Sequence, residues 1–118
     1  MMKGTYEALI AKAYDAFNAR DIVAVLELME ADVKWPRAWE GDYVTGHEAV
    51  RAYWTQQWQE VNPIVTPVDF YETPDGRLGV VVRQLVKDKS DNVLLDGNVT
   101  HIYTFAEGKI KTMEIAKD

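Results

Sequence analysis

Through the first sixty residues, apolar side chains recur every three or four positions; from Val61 onward they recur every second position. Tyr6, Leu9, Ile10, Ala13 and Phe17 form one helical stripe, and Ile22, Val25, Leu26 and Met29 a second. The intervening "FNARD" is a break, with Asn18 suited to a left-handed position at the helix end and Asp21 to capping the next helix. "EAD" ends the second helix, and Val33–Arg37 predicts a short extended segment that Pro36 confines to a sheet edge. Thr45 and Glu48 have capping-box spacing. Val50, Tyr53, Trp54, Gln57 and Trp58 follow at helical spacing, which predicts a third helix.

The later half reads as four longer strands joined by hairpins. "VNPIVTPVDFYE" carries prolines at 63 and 67 and belongs near an edge, whereas "RLGVVVRQLVKD" is almost continuously apolar and belongs inside the sheet. "TPDG", "KSDN" and "AEGK" are the turns. Gly97 predicts a bulge that bends the sheet. The expected fold is α+β: three N-terminal helices packed on one face of a curved, mainly antiparallel sheet, in one domain spanning 1–118.

Composition narrows the chemistry by exclusion. The 118 residues carry a net charge of −6, which opposes nucleic acid and anionic membrane surfaces. There is no cysteine, so disulfides and thiolate chemistry are excluded. Ser90 is the sole serine and sits in a polar turn; only His47 and His101 are present; no glycine-rich phosphate loop occurs. Neither a serine triad, nor a metal site, nor a cofactor is expected. No run approaches the ~18 apolar residues of a membrane span, and "MMKGTYEAL" has no apolar signal core, so a cytoplasmic location is the expectation.

Three stretches carry a resemblance: "AYDAFNARDIVAVLELMEADVKW", "GHEAVRAYW" and "THIYTFAEGKIKTMEI". A helix ending in Asn-Ala-x-Asp, a strand ending in Trp, a Gly-x-x-Ala-Val-Arg helix start and a final hairpin with Gly-Lys-Ile together resemble the SnoaL-like group of the nuclear transport factor 2-like superfamily, which shares the ketosteroid isomerase fold. The resemblance implies a cone enclosing an apolar pocket, and homodimers through the outer sheet face, for which Thr100, Ile102, Thr104, Ile110 and Thr112 are suited. It does not imply one activity, because the superfamily holds isomerases, cyclases, dehydratase-like enzymes, hydrolases and binders. The ketosteroid isomerases use a carboxylate base, a tyrosine donor and a protonated aspartate. Those positions fall here on Arg37, Ala13 and His101, and none matches.

The resemblance makes the segment after the second helix a pocket wall. Strand parity places Trp35 and Arg37 on one side, facing the cavity, with Trp39 at its mouth. His101 lies in "VTHIYTF" on the face that also carries Val99, Tyr103 and Phe105. It is the candidate proton carrier, with Arg37 or Tyr14 polarising an oxygen. A type I turn with Gly108 in a bulge would set His101 across from Met113. A two-residue turn at Glu107–Gly108 would set it across from Glu114, but needs Glu107 at positive φ. Gln84 shares a face with Val80, Val82 and Val86, which turns it rather than Arg83 inward. Tyr14, Trp35, Tyr53, Trp54, Trp58 and Tyr103 supply an aromatic lining for a small, flat, mostly apolar ligand. Three functions remain open: cofactor-free acid–base catalysis (isomerisation, cyclisation, dehydration or hydrolysis), ligand binding without turnover, or a dimerising structural domain.

Overall fold

The computed structural model describes residues 3–37 and 40–116. Three helices, α1 (Lys3–Asn18), α2 (Ile22–Glu27) and α3 (His47–Glu60), combine with six strands. The strands are β1 (Met29–Arg37), β2 (Asp42–Thr45), β3 (Val61–Glu72), β4 (Leu78–Asp88), β5 (Val93–Ala106) and β6 (Lys109–Ala116). They form one mixed sheet in the order β2-β1-β6-β5-β4-β3. The four long strands are antiparallel neighbours, and β1 joins β6 in parallel. The proline-bearing β3 is an outermost strand, where a missing N–H costs no ladder bond.

The expected edge position of Val33–Arg37 is corrected. That strand begins earlier, at Met29, and lies between β6 and a short β2 absent from the sequence reading. Pro36 is tolerated because the β6 pairing ends at Lys34; beyond it β1 pairs with β2 alone. The helix ends differ as well. Arg20, not Asn18, takes the left-handed conformation, with φ 63°. The Asn18 carboxamide instead reaches β3, donating to Val65 O at 2.8 Å and accepting from Val65 N at 3.0 Å. Gly46, at φ 91°, precedes α3, and no side chain caps that helix. The β5 irregularity falls opposite the Val86/Lys87 step, with Leu94 as the extra residue, and Gly97 pairs regularly with Gln84.

The last hairpin adopts neither expected register. Glu107 and Gly108 form a two-residue turn with φ 52° and 79°, both positive as a type I′ turn demands. Lys111 is then an extra residue on β6, so Phe105 pairs with Ile110 but Thr104 with Thr112. His101 therefore lies across from Ile115, and Tyr103 across from Met113. The same bulge puts Ile110 and Thr112 on opposite faces. Ile110 is wholly buried in its own chain's core, so it is not part of an outer sheet face as expected.

Inward residues of β4 (Val80, Val82) and β5 (Tyr103) meet Ile10 and Tyr14 of α1 and Val50 and Trp54 of α3 in one apolar core. This burial is the main favourable term, at about 25 cal/mol per Å² of apolar surface. Among the described residues, no helix is long and apolar enough to cross a membrane.

Candidate functional site

The helices do not fill the concave side of the sheet completely. A cavity of ≈ 80 Å³ remains between α1, α3 and the inner strand faces. At roughly 10–15 Å³ per water, it holds several waters or one small organic molecule. Its aromatic wall is ordered by edge contacts. Trp35 meets Trp54 at 5.3 Å between centroids with rings 89° apart, and Trp35 also lies 6.3 Å from Tyr103. Tyr53 and Met113 complete the predicted lining.

Two expected site residues are not in this wall. Arg37 is turned to Asp42, which the register of β1 with β2 places directly across from it. Its Nε and Nη2 each donate to that carboxylate at 2.6 Å. This exposed pair holds Asp42 below, and Arg37 above, its ordinary pKa, chiefly through their hydrogen bonds. The expectation that Arg37 faces the cavity failed because β2, and with it a partner for Arg37, was not foreseen. Trp58 stands one layer behind the cavity, against Phe17 and Trp54, with the Arg20 guanidinium 5.1 Å from its ring centroid. Trp39 lies outside the described residues.

The polar centre is a chain of three side chains. Tyr103 Oη donates to Tyr14 Oη at 2.7 Å, and Tyr14 Oη lies 2.8 Å from His101 Nδ1. Two elements create it. Parity on β5 turns His101 and Tyr103 inward together, and Tyr14 lies on the buried side of α1 facing them. All three are buried. Burial lowers the His101 pKa to about 4, so the imidazole is neutral at neutral pH. Burial likewise pushes both phenols above their ordinary value, Tyr14 further raised by Tyr103 beside it.

Nδ1 is engaged by Tyr14, which leaves Nε2 as the other ring nitrogen. It has no hydrogen bond within the described residues. His101 lines the cavity. Gln84 of β4 and Gln57 of α3 also line it, and neither carboxamide has a hydrogen bond to a described residue. Arg83, the alternative to Gln84, lies outside, forked onto Asp96 at 3.0 and 2.9 Å. Gln57 was missed as a site residue, although a polar side chain inside the apolar stripe of α3 signals it. Pro36, Val65 and Ile115 enter the wall through register that the sequence does not specify.

Among the described residues, no Asp, Glu, Lys or Arg lines the cavity. Among the described residues no group of three or more His, Asp or Glu is arranged to hold a metal. The arrangement offers a neutral base or donor at Nε2, a phenol at Tyr103 and two amides, all in apolar surroundings. Hydrogen bonds there are stronger than in water, and charge is costly.

Comparison with known proteins agrees with this geometry. The model of the SnoaL-like domain matches residues 10–113. A nuclear transport factor 2-like protein of unknown function from Burkholderia pseudomallei superposes with a TM-score of 0.82 at 23% identity, covering 97% of this chain and 91% of that one. TerC, co-crystallised with polyporic acid, gives 0.80 at 26% identity, with 97% and 91% covered. A protein from Xanthomonas campestris, provisionally named a polyketide cyclase, gives 0.80 at 17% identity, with 98% and 92% covered. No curated protein matches the sequence. Fold, pocket and family model agree that this chain belongs to the SnoaL-like domain family.

Proposed function

We propose that the chain binds a small, uncharged, mostly apolar molecule bearing carbonyl or hydroxyl oxygens, and moves a proton on it by acid–base chemistry at His101. One observation carries this reading: among the described residues none that lines the cavity is charged and none is hydrogen-bonded to His101 Nε2, while Tyr14 Oη lies 2.8 Å from Nδ1. A neutral imidazole so held can accept a proton or donate one. Trp35, Tyr53, Trp54 and Met113 clasp a flat ligand, and the amides of Gln57 and Gln84 read its oxygens. The TerC complex with polyporic acid and the provisional polyketide cyclase support a small organic ligand in this cavity. Isomerisation, cyclisation, dehydration and hydrolysis all fall within this chemistry.

The second reading is binding without turnover. It is favoured by the absence, among the described residues, of a carboxylate partner for His101: Glu114, the acid that one register would have brought near, instead accepts from Arg77 Nη1 at 2.9 Å on the outer face. A homodimer is compatible with either reading.

A thermal-shift panel of neutral phenols and ketones, set against carboxylic acids and amines of equal size, tests the proposal. Neutral compounds stabilise the wild type, and His101→Gln loses most of that stabilisation. Equal stabilisation by the charged compounds contradicts it.

A further inference from the structure

Catalysis by a lone histidine would leave a charge in this cavity whenever a proton moved. The hydrogen-bond chain offers another path. Tyr14 touches both its neighbours, at 2.8 Å to His101 Nδ1 and 2.7 Å to Tyr103 Oη. The residues at both ends of the chain, His101 and Tyr103, line the cavity. The bonds can run in either direction, because a hydroxyl donates and accepts and a neutral imidazole carries its proton on either nitrogen.

We infer that Tyr103, Tyr14 and His101 form a reversible proton relay whose two ends act on one ligand, so that the site interconverts keto and enol forms without a charged intermediate. This rests on the proposed ligand-binding role of the cavity. In one direction Tyr103 donates to Tyr14, Tyr14 donates to Nδ1, and Nε2 carries the proton. An enol is then converted as follows. The Nε2 proton goes to the ligand carbon, where the C=C pair becomes the new C–H bond. The enol O–H proton goes to Tyr103 oxygen, and its O–H pair becomes the second C=O bond. The Tyr103 proton passes to Tyr14 oxygen, and the Tyr14 proton passes to Nδ1. The product is the ketone, nothing is oxidised or reduced, and every residue ends neutral. The chain now runs from Nδ1 through Tyr14 to Tyr103, with Nε2 bare. From there the reverse sequence enolises a ketone, or removes a proton from a second carbon and so shifts a double bond. Burial that lowers the His101 pKa and raises those of both tyrosines disfavours the charged alternatives.

The substrate class follows. It is a neutral carbonyl compound with an acidic C–H within reach of the oxygen that Tyr103 holds, and the net reaction is a proton shift rather than a hydrolysis. Tyr103 is a catalytic residue in this scheme and Tyr14 a positioning residue that acts through both neighbours.

The probe is 2,4-pentanedione, whose keto–enol interconversion is read by the ultraviolet absorbance of the enol. Wild type is expected to speed approach to equilibrium tenfold or more over buffer, with a curved dependence of rate on deuterium fraction. Tyr14→Phe is expected to lose at least tenfold and to give a linear dependence. An undiminished rate in Tyr14→Phe overturns the relay while leaving the ligand pocket intact. So does a wild type that shows no acceleration although the probe shifts the His101 and Tyr103 resonances. A probe that shifts no cavity resonance counts against the pocket reading instead. The relay is then decided without ligand, by the imidazole ¹⁵N resonances of His101 in Tyr103→Phe. Loss of that hydroxyl, two hydrogen bonds away, shifts them if the chain is coupled; unchanged resonances overturn the relay.

Discussion

The Tyr14 hydroxyl lies 2.8 Å from His101 Nδ1 and joins the longest helix to the inner face of β5. The contact orients the imidazole and makes the neutral ring part of the packed core. His101 has a pKa of about 4 in the fold, against 6.5 when unfolded. Between those values the unfolded chain binds more protons, so this contribution is full above pH 6.5 and is lost as pH falls toward 4. The loss approaches about 3 kcal/mol, since each pKa unit is worth about 1.4 kcal/mol. Urea unfolding at pH 7.5 and pH 5 measures it. In His101→Gln the difference between the two pH values shrinks markedly.

Tyr14→Phe keeps the ring and removes the hydroxyl that serves two buried partners. His101 Nδ1 and Tyr103 Oη are left without each other's intermediary, at a cost of roughly 1–3 kcal/mol. Denaturant midpoints of Tyr14→Phe, Tyr103→Phe and the double variant give the coupling. The double variant is expected to be less destabilised than the two single losses added together.

Glu107 occupies a left-handed conformation, with φ 52°, that a non-glycine residue other than Asn or Asp rarely accepts. Asn at that position followed by Gly108 is the preferred type I′ pair. Glu107→Asn is therefore expected to raise stability by about 1 kcal/mol, seen as a higher melting temperature with unchanged ligand affinity. A lower melting temperature would contradict the turn geometry.

Arg37 and Gln84 separate the cavity wall from the surface. The Arg37 guanidinium is exposed and engaged by Asp42, so Arg37→Ala leaves ligand affinity unchanged. Gln84→Leu fills the same volume without the amide and weakens binding of oxygen-bearing ligands about tenfold, by loss of one hydrogen bond. Titration of any hit from the thermal-shift panel checks both.

Periodicity made the architecture legible, because the change from a 3.6 to a 2.0 repeat at Val61 coincides with the end of α3 at Glu60. The inward turn of His101, Tyr103 and Gln84 followed from strand parity, which needs no partner. What needed a partner was not legible. Arg37 was misplaced because "GDYVT" is too short and polar to declare itself a strand, and only the β1–β2 register reveals Asp42 across from it. The neighbour of His101 was misplaced because one inserted residue, Lys111, moves the register by one, and because the fold tolerates Glu107 at positive φ. Tyr14 was visible as a polar group near the site, but its joint contact with His101 and Tyr103 depends on how α1 lies across the sheet, which no local pattern encodes.

On the proposed function the ligand sits beside His101, in a cavity where no described lining residue is charged. The most direct measurement is chemical-shift mapping on ¹⁵N-labelled protein titrated with the strongest neutral hit. Saturable shifts are expected at the indole N–H of Trp35 and Trp54, the side-chain amides of Gln57 and Gln84 and the His101 ring, with the Arg37 and Arg83 signals still. Shifts confined to the outer sheet face, with those cavity signals unmoved at saturation, would contradict it.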